Sequence, residues 1–111
     1  KVGEYYLGDV WYEQVEKGNK TIDLKPGKEG EYDNIVGKKI KFYHKKKELF
    51  VLCSKVTFYT NINDLIEKED IVKIAPHKSL EEIKEDLKTY YSPDKLKDGK
   101  GINVLHFKLV K

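Results

Sequence analysis

Polar and apolar residues alternate along several stretches of this chain, and a period of two is typical of a half-buried β-strand. In the clearest stretch, Thr21, Asp23 and Lys25 alternate with Ile22 and Leu24. This pattern predicts a strand that presents a hydroxyl, a carboxylate and an ammonium group on one face. The predicted strands cover residues 1–7, 20–25 (ended by Pro26), 39–43, 49–59 (with a bulge near 54–55) and 102–110.

Apolar residues at helical spacing predict the other elements. The predicted helices cover residues 10–17, 64–67 and 80–91, with a single turn at 71–74. Asp9 is expected to cap the first helix, and Gly18 follows it where a left-handed residue is typical. Ser79 and Glu82 form a capping box before the last helix. The resulting order, β-α-β-β-β-α-α-β, favours an α+β fold with one shared core.

The length of 111 residues is that of one small domain, and residues 1–111 are therefore expected to form a single unit. The longest apolar run, 50–53, is far shorter than the roughly 20 residues that cross a bilayer, so no membrane partner is expected. The single cysteine, Cys53, cannot form an internal disulfide and is expected to be a small buried hydrophobe. No signal-peptide pattern is seen at the start. A reducing, cytoplasmic location is expected.

All 22 basic residues are lysines, and the formal net charge is +3. Residues 38–47 carry six lysines and no acid, interleaved with Phe42, Tyr43 and His44. Ammonium groups can contact phosphates while rings stack on bases, so this stretch is a candidate surface for single-stranded RNA. The alternative is a lysine-coated hairpin that resists edge pairing. The candidate contacts are Lys39, Lys41, Tyr43, Lys45 and Lys46.

The stretch Gly18-Asn19-Lys20-Thr21-Ile22-Asp23-Leu24-Lys25, directly after the first predicted helix, resembles the signature Gly-x-Lys-x-x-Glu-x-Arg of the ASCH (activating signal cointegrator homology) family. The resemblance continues through residues 37–42, 56–65, 79–91 and 101–107. Asp23 stands where the family has Glu, and Lys25 where it has Arg. Both substitutions keep the charge. Asp has a shorter side chain than Glu, and Lys lacks the planar guanidinium group with which Arg makes bidentate hydrogen bonds.

The resemblance implies a PUA-like fold, in which a small closed barrel of mixed strands carries helices around its rim. It also implies that RNA or a nucleoside-like molecule binds in a cleft beside the first helix. We expect no cofactor, and the monomer is the favoured state. The residues implied for this cleft are Gly18, Lys20, Thr21, Asp23 and Lys25. Lys20 would meet a phosphate or base carbonyl, and Asp23 would accept from an exocyclic amine. The alternative is that Thr21, Asp23 and Lys25 form a solvated strand face with an ordinary ion pair.

An enzymatic alternative is also open. Some bacterial relatives in the family hydrolyse the amide of N4-acetylcytidine with a Lys, a Thr three residues later and a distant Glu. Lys20 matches the lysine, but Asp23 stands at the threonine position and no acid is in register near 75–76. Thr21 offers a hydroxyl one residue after Lys20, so a hydrolase or weak ribonuclease would use Lys20, Thr21 and Asp23.

Metal chemistry and protein interaction complete the alternatives. His44, His77 and His106 are far apart in sequence and lack cysteine or carboxylate neighbours at ligand spacing, so no metal site is expected. If the protein does not bind nucleic acid at low salt, a role as a protein-interaction adaptor is favoured.

Overall fold

A single curled sheet forms the frame of the computed structural model, which describes residues 3–110. Its strand order is β1-β3-β4-β5-β2. The strands are β1 (Glu4–Tyr6), β2 (Ile22–Gly27), β3 (Lys39–His44), β4 (Lys47–Tyr59) and β5 (Gly101–Leu109). β1 is parallel to β3, and the other neighbours are antiparallel. The predicted α+β class is confirmed. The sheet is a half-barrel whose edge strands, β1 and β2, are not paired with each other in the described residues.

Three helices and two short 3-10 turns cover this sheet. They are α1 (Asp9–Glu16), α2 (Ile62–Lys68) and α3 (Leu80–Tyr90), with the turns at Asp33–Ile35 and Ile71–Lys73. The predicted capping box is confirmed, because Ser79 and Glu82 exchange hydrogen bonds of 3.0 and 3.2 Å. The prediction that Asp9 caps α1 is wrong. Gly8 holds the cap position without a side-chain bond, and Asp9 is the first helical residue.

The strand β2 does not end at Pro26, contrary to the sequence prediction. It continues through Pro26 to Gly27, and Pro26 pairs with Ile102. Because β2 is an edge strand, the missing N–H of proline leaves no ladder bond unmade. The predicted bulge in β4 is confirmed by a register shift between Cys53 and Lys55. Cys53 is fully buried, as predicted.

Apolar side chains form a core on each face of the sheet. The first core joins β5 to α2 and α3 through residues such as Val104, Leu65 and Ile83. The second core lies inside the curl and joins α1 to β3 and β4 through residues such as Val15 and Phe42. β5 contributes to both cores, so its central residues are buried on both sides. Because α3 belongs to the first core and α1 to the second, these two helices pack on opposite faces of the sheet.

A buried polar cluster links the end of α2 to the sheet. The Tyr59 hydroxyl donates to Glu69 Oε2 at 2.5 Å, and His106 Nε2 lies 3.2 Å from Glu69 Oε1. The Glu69 side chain is only 8% exposed. Burial is the main cause that lowers the pKa of His106, with the Glu69 charge opposing it. Tyr59 therefore supplies a hydrogen bond that water cannot replace.

We expect Tyr59→Phe to lower the free energy of unfolding by about 1–3 kcal/mol, because it leaves a buried carboxylate without its donor. Urea unfolding followed by circular dichroism measures this change. The matched control is Tyr90→Phe, since Tyr90 is 64% exposed and should show an unchanged midpoint. Equal midpoints for both variants would contradict a stabilising role for the Tyr59 hydroxyl.

Candidate functional site

A pocket of about 180 Å³ opens between α1, β2 and α3. α1 contributes Trp11 to its wall, and β2 contributes Asp23 and Leu24. The remaining wall comes from the segment after the second 3-10 turn and from α3, with Ile74, Ala75, Lys78, Ile83, Asp86, Leu87, Tyr90 and Tyr91. Lys20 lies at its base. The pocket is therefore apolar over most of its surface and carries a few charged groups, which is typical of small-ligand sites.

Lys20 is a buried lysine whose charge is held by several acceptors. Its side chain is 1% exposed, and Nζ donates to Ile22 O at 2.5 Å and to Ile74 O at 2.7 Å. Nζ also lies 3.4 Å from Asp23 Oδ1. Burial lowers the pKa of Lys20, and the neighbouring Asp23 opposes that shift. Lys20 thus joins β2 to the 3-10 turn and holds the Asp23 carboxylate in place.

Asp23 has one carboxylate oxygen with unused acceptor capacity. Its Oδ2 is buried and makes no hydrogen bond with any described residue, although Lys25 Nζ lies 3.4 Å away. Lys25 is also held from the other side, because its Nζ lies 4.5 Å from the centre of the Tyr5 ring. A buried carboxylate oxygen at a pocket wall favours a ligand that donates a hydrogen bond.

Trp11 and Tyr91 both contribute aromatic surface to the lining of the pocket. Lys78 Nζ lies over Trp11, 5.3 Å from the ring centre, and pairs with Asp86 at 2.7 Å. Burial, with a smaller contribution from the Asp23 charge, raises the pKa of Tyr91 to about 12, so its hydroxyl is a neutral donor near pH 7. The pocket lining thus combines aromatic rings with hydrogen-bond donors.

Only two of the residues predicted for the cleft line this pocket, namely Lys20 and Asp23. Lys25 lies behind Asp23, outside the wall. Thr21 is tied through its backbone, since its N–H donates to Lys73 O at 3.2 Å, and it is not among the described lining residues. Gly18 adopts a φ of 81° after α1 and serves to turn the chain.

Most of the opposite wall was not predicted as a site. Trp11 on α1 and Tyr91 at the end of α3 line the pocket but are not among the residues predicted for the cleft. Lys78 and Asp86 gave no sequence signal, because a lysine and an aspartate eight residues apart are ordinary surface residues. Lys78 and Asp86 line the pocket only because the tertiary fold brings α3 and the segment before it close to Trp11 of α1.

The residues predicted to guide RNA lie elsewhere on the molecule. Lys39, Lys41 and Tyr43 point outward from β3, whose intervening residues are buried in the second core. Lys45 and Lys46 form the turn between β3 and β4. None of the five lines the pocket. The predicted site is therefore divided between two surfaces.

No group of three or more histidine, cysteine or acidic side chains suited to a metal ion is found within residues 3–110. His44 is engaged with the backbone instead, as its Nδ1 lies 2.9 Å from Leu7 O. Across the same described range, every helix is too short or too polar to span a bilayer.

No family model matches this chain, and no curated protein matches it. The fold is similar to that in the crystal structure of the hypothetical protein PH0355, with 24% sequence identity, a TM-score of 0.73, and coverage of 96% of this chain and 97% of that chain. It is also similar to the solution NMR structure of protein PF0455 from Pyrococcus furiosus, with 23% identity, a TM-score of 0.66, and coverage of 97% and 96%. These likenesses concern the fold alone.

Proposed function

We propose that this chain is an ASCH-type domain of PUA-like fold that binds RNA or a nucleoside-like molecule, with one base held in the pocket between α1, β2 and α3. The observation that carries the proposal is that Asp23 lines a pocket together with Trp11 and Tyr91, while its buried Oδ2, 3.4 Å from Lys25 Nζ, makes no hydrogen bond with any described residue. A buried acceptor without a hydrogen bond is costly, and a ligand donor removes that cost.

The chemistry of the walls favours a flat ring that bears an amine. Trp11 and Tyr91 offer aromatic surface for a base, and Asp23 accepts from the exocyclic amine. Lys78 also lines the pocket, and its ammonium group, which pairs with Asp86, has further protons to donate to a carbonyl or phosphate oxygen. A pocket of about 180 Å³ is smaller than the roughly 300–1,000 Å³ of sites for drug-sized ligands, which favours a ligand as small as a single base.

Lys20 has a positioning role in this proposal rather than a direct one. Two backbone carbonyls and Asp23 surround its ammonium group. An ammonium has three protons, so these acceptors account for its donor capacity. The expectation that Lys20 meets a phosphate or base carbonyl is therefore replaced by one in which Lys20 fixes the carboxylate that meets the base.

The proposal predicts a preference for cytidine over uridine. The two nucleosides differ at ring position 4, where cytosine has an amine donor and uracil a carbonyl acceptor. A hydrogen bond to a charged group contributes about 1.5–3 kcal/mol, so cytidine should bind about tenfold more tightly or better. Trp11 is the only tryptophan in the chain, and quenching of its fluorescence measures both affinities.

Ribose 5-phosphate is the control ligand, since it carries the sugar and phosphate without a base. We expect it to leave the Trp11 fluorescence unchanged. Equal affinities for cytidine and uridine would contradict recognition by Asp23. Quenching by ribose 5-phosphate at the same concentrations would contradict recognition of a base.

The hydrolase alternative rests on the lowered pKa of Lys20, which would ease proton transfer. The geometry favours binding, because the Lys20 ammonium is already engaged and Thr21 does not line the pocket. We therefore expect N4-acetylcytidine to remain intact when incubated with the protein. Release of cytidine, lost in a folded Lys20 variant, would favour the hydrolase instead.

A further inference from the structure

A second surface on this chain has the composition of a binding site and lies apart from the pocket. It is the side of β1, β3 and β4 that faces away from the second core, and we call it the outer face. Its members are Tyr6, Lys39, Lys41, Tyr43, Phe50 and Leu52, none of which lines the pocket. The exposed fractions are 53% for Tyr6, 37% for Tyr43, 46% for Phe50 and 39% for Leu52.

The strand register brings these residues side by side. Tyr6 pairs with Tyr43, Lys41 with Phe50, and Lys39 with Leu52. The rings of Tyr6 and Tyr43 are 5.7 Å apart and nearly perpendicular. Rings and lysines therefore occupy neighbouring positions on one continuous sheet surface rather than scattered ones.

No described helix covers this face: α1 packs on the opposite side against Ile40 and Phe42, and the first core, to which α2 and α3 belong, includes none of the six residues. Single exposed apolar residues are common, but a contiguous group of them marks an interaction surface. Leaving three aromatic rings exposed on adjacent strands is unfavourable unless a partner covers them.

The charges around the outer face are mainly positive. Lys39 and Lys108 flank Leu52, and the turn at the end of β3 adds Lys45 and Lys46. The carboxylates on this face, those of Glu4 and Glu48, both contact Lys41, at 3.4 and 3.2 Å. The remaining lysines are in excess over nearby acids, which makes the rim attractive to an anion.

We propose that the outer face binds a single-stranded nucleic acid, whose bases stack on Tyr43, Phe50 and Tyr6 while the surrounding lysines contact its phosphates. Exposed rings beside a basic rim are the usual means of holding a single strand without sequence preference. Lysine suits such a role, because it contacts phosphate as a point charge and does not fix base identity. This surface is independent of the ligand in the pocket.

A second copy of the chain is the less favourable occupant. A two-fold dimer through this face would place the same surface on both sides of the interface. The lysines around one face would then approach those of the other, and like charges in an interface are repulsive. A polyanion with stackable bases satisfies both the rings and the charges.

The test is fluorescence anisotropy of a labelled oligouridylate of about ten nucleotides, a length within the site sizes of single-strand binders. Uridine lacks the amine that the pocket is proposed to prefer, so this probe reports mainly on the outer face. We expect saturable binding at low salt that weakens as salt rises. The double variant Tyr43→Ala/Phe50→Ala should weaken it about tenfold or more, since each stacked base contributes through one ring.

The matched control is Leu80→Ala, which removes an apolar side chain that is 44% exposed on α3 and lies outside the outer face. It should leave oligouridylate binding unchanged. The Tyr43→Ala/Phe50→Ala variant should keep its affinity for free cytidine, which separates failure of this proposal from failure of the pocket. Unchanged oligouridylate affinity in the double variant would overturn the proposal. Wild-type dimers in sedimentation that the double variant abolishes would also overturn it, in favour of a second copy.

Discussion

Replacing Lys20 by methionine should lower the free energy of unfolding by about 3–5 kcal/mol, the cost of removing one partner from a buried ion pair. Methionine fills much of the same space, so the cost comes from lost charge and hydrogen bonds rather than from a cavity. The variant leaves Ile22 O and Ile74 O without their donor and Asp23 without its buried cation. Urea unfolding measures the change.

Lys17→Met is the matched control for this experiment. Lys17 forms an exposed ion pair with Glu13 at 2.8 Å, and both side chains are more than half exposed. Solvent screens such pairs, so the control should show no measurable change in stability. If Lys20→Met were as stable as Lys17→Met, the buried lysine would not be the link between β2 and the 3-10 turn.

Replacing Asp23 by asparagine should remove the preference for cytidine over uridine. The amide keeps the shape of the carboxylate but lacks its charge, so the contribution of the bond to the cytosine amine falls from about 1.5–3 kcal/mol to about 0.5–1.5 kcal/mol. An amide NH₂ can also donate to the uracil carbonyl, which favours the other nucleoside. Fluorescence titration of Trp11 with each nucleoside measures the ratio.

The ratio of the two affinities is informative even if this variant is less stable. A reduced folded fraction weakens both apparent affinities by the same factor and leaves their ratio unchanged. Asp94→Asn is the control, because it makes the same change in net charge on a residue outside the pocket. A preserved cytidine preference in Asp23→Asn would show that another group reads the base.

Local pattern was sufficient for much of the fold. The alternation at residues 20–25 placed Ile22 and Leu24 toward the first core, where both are found. The capping box and the bulge were readable because each depends on a few neighbouring residues. The local sequence does not show which strand lies at the edge of the sheet, so features that depend on a free edge could not be predicted. Pro26 lies within β2 only because that strand has no partner on its outer side.

The candidate site was harder to predict, because it depends on contacts between distant segments. Lys20 was expected to meet a phosphate or base carbonyl, yet its side chain is buried and its ammonium group donates to the carbonyl of Ile74, 54 residues further along the chain. Lys78 and Asp86 join the pocket only through the packing of α3. The basic run was predicted as a surface for single-stranded RNA, and only the fold shows that its outward residues on β3 lie on a surface apart from the pocket.

The two surfaces give the chain a simple division of roles under these proposals. The pocket would select one base through a buried carboxylate, and the outer face would hold a strand through rings and lysines. Neither surface needs arginine, which the chain lacks. A modest net charge of +3 is consistent with weak, salt-sensitive contacts to phosphate rather than tight non-specific binding.

The most direct test of the pocket is an NMR titration of the ¹⁵N-labelled protein with free cytidine at low salt. The account predicts saturable amide shifts at residues 20–24, 74–78 and 86–91, which surround the pocket, together with a shift of the Trp11 indole signal. The amide signals of residues 39–52, the segment that carries most of the outer face, should not shift. Shifts confined to the outer face, or no saturable shifts at all, would contradict the claim that this pocket binds a base.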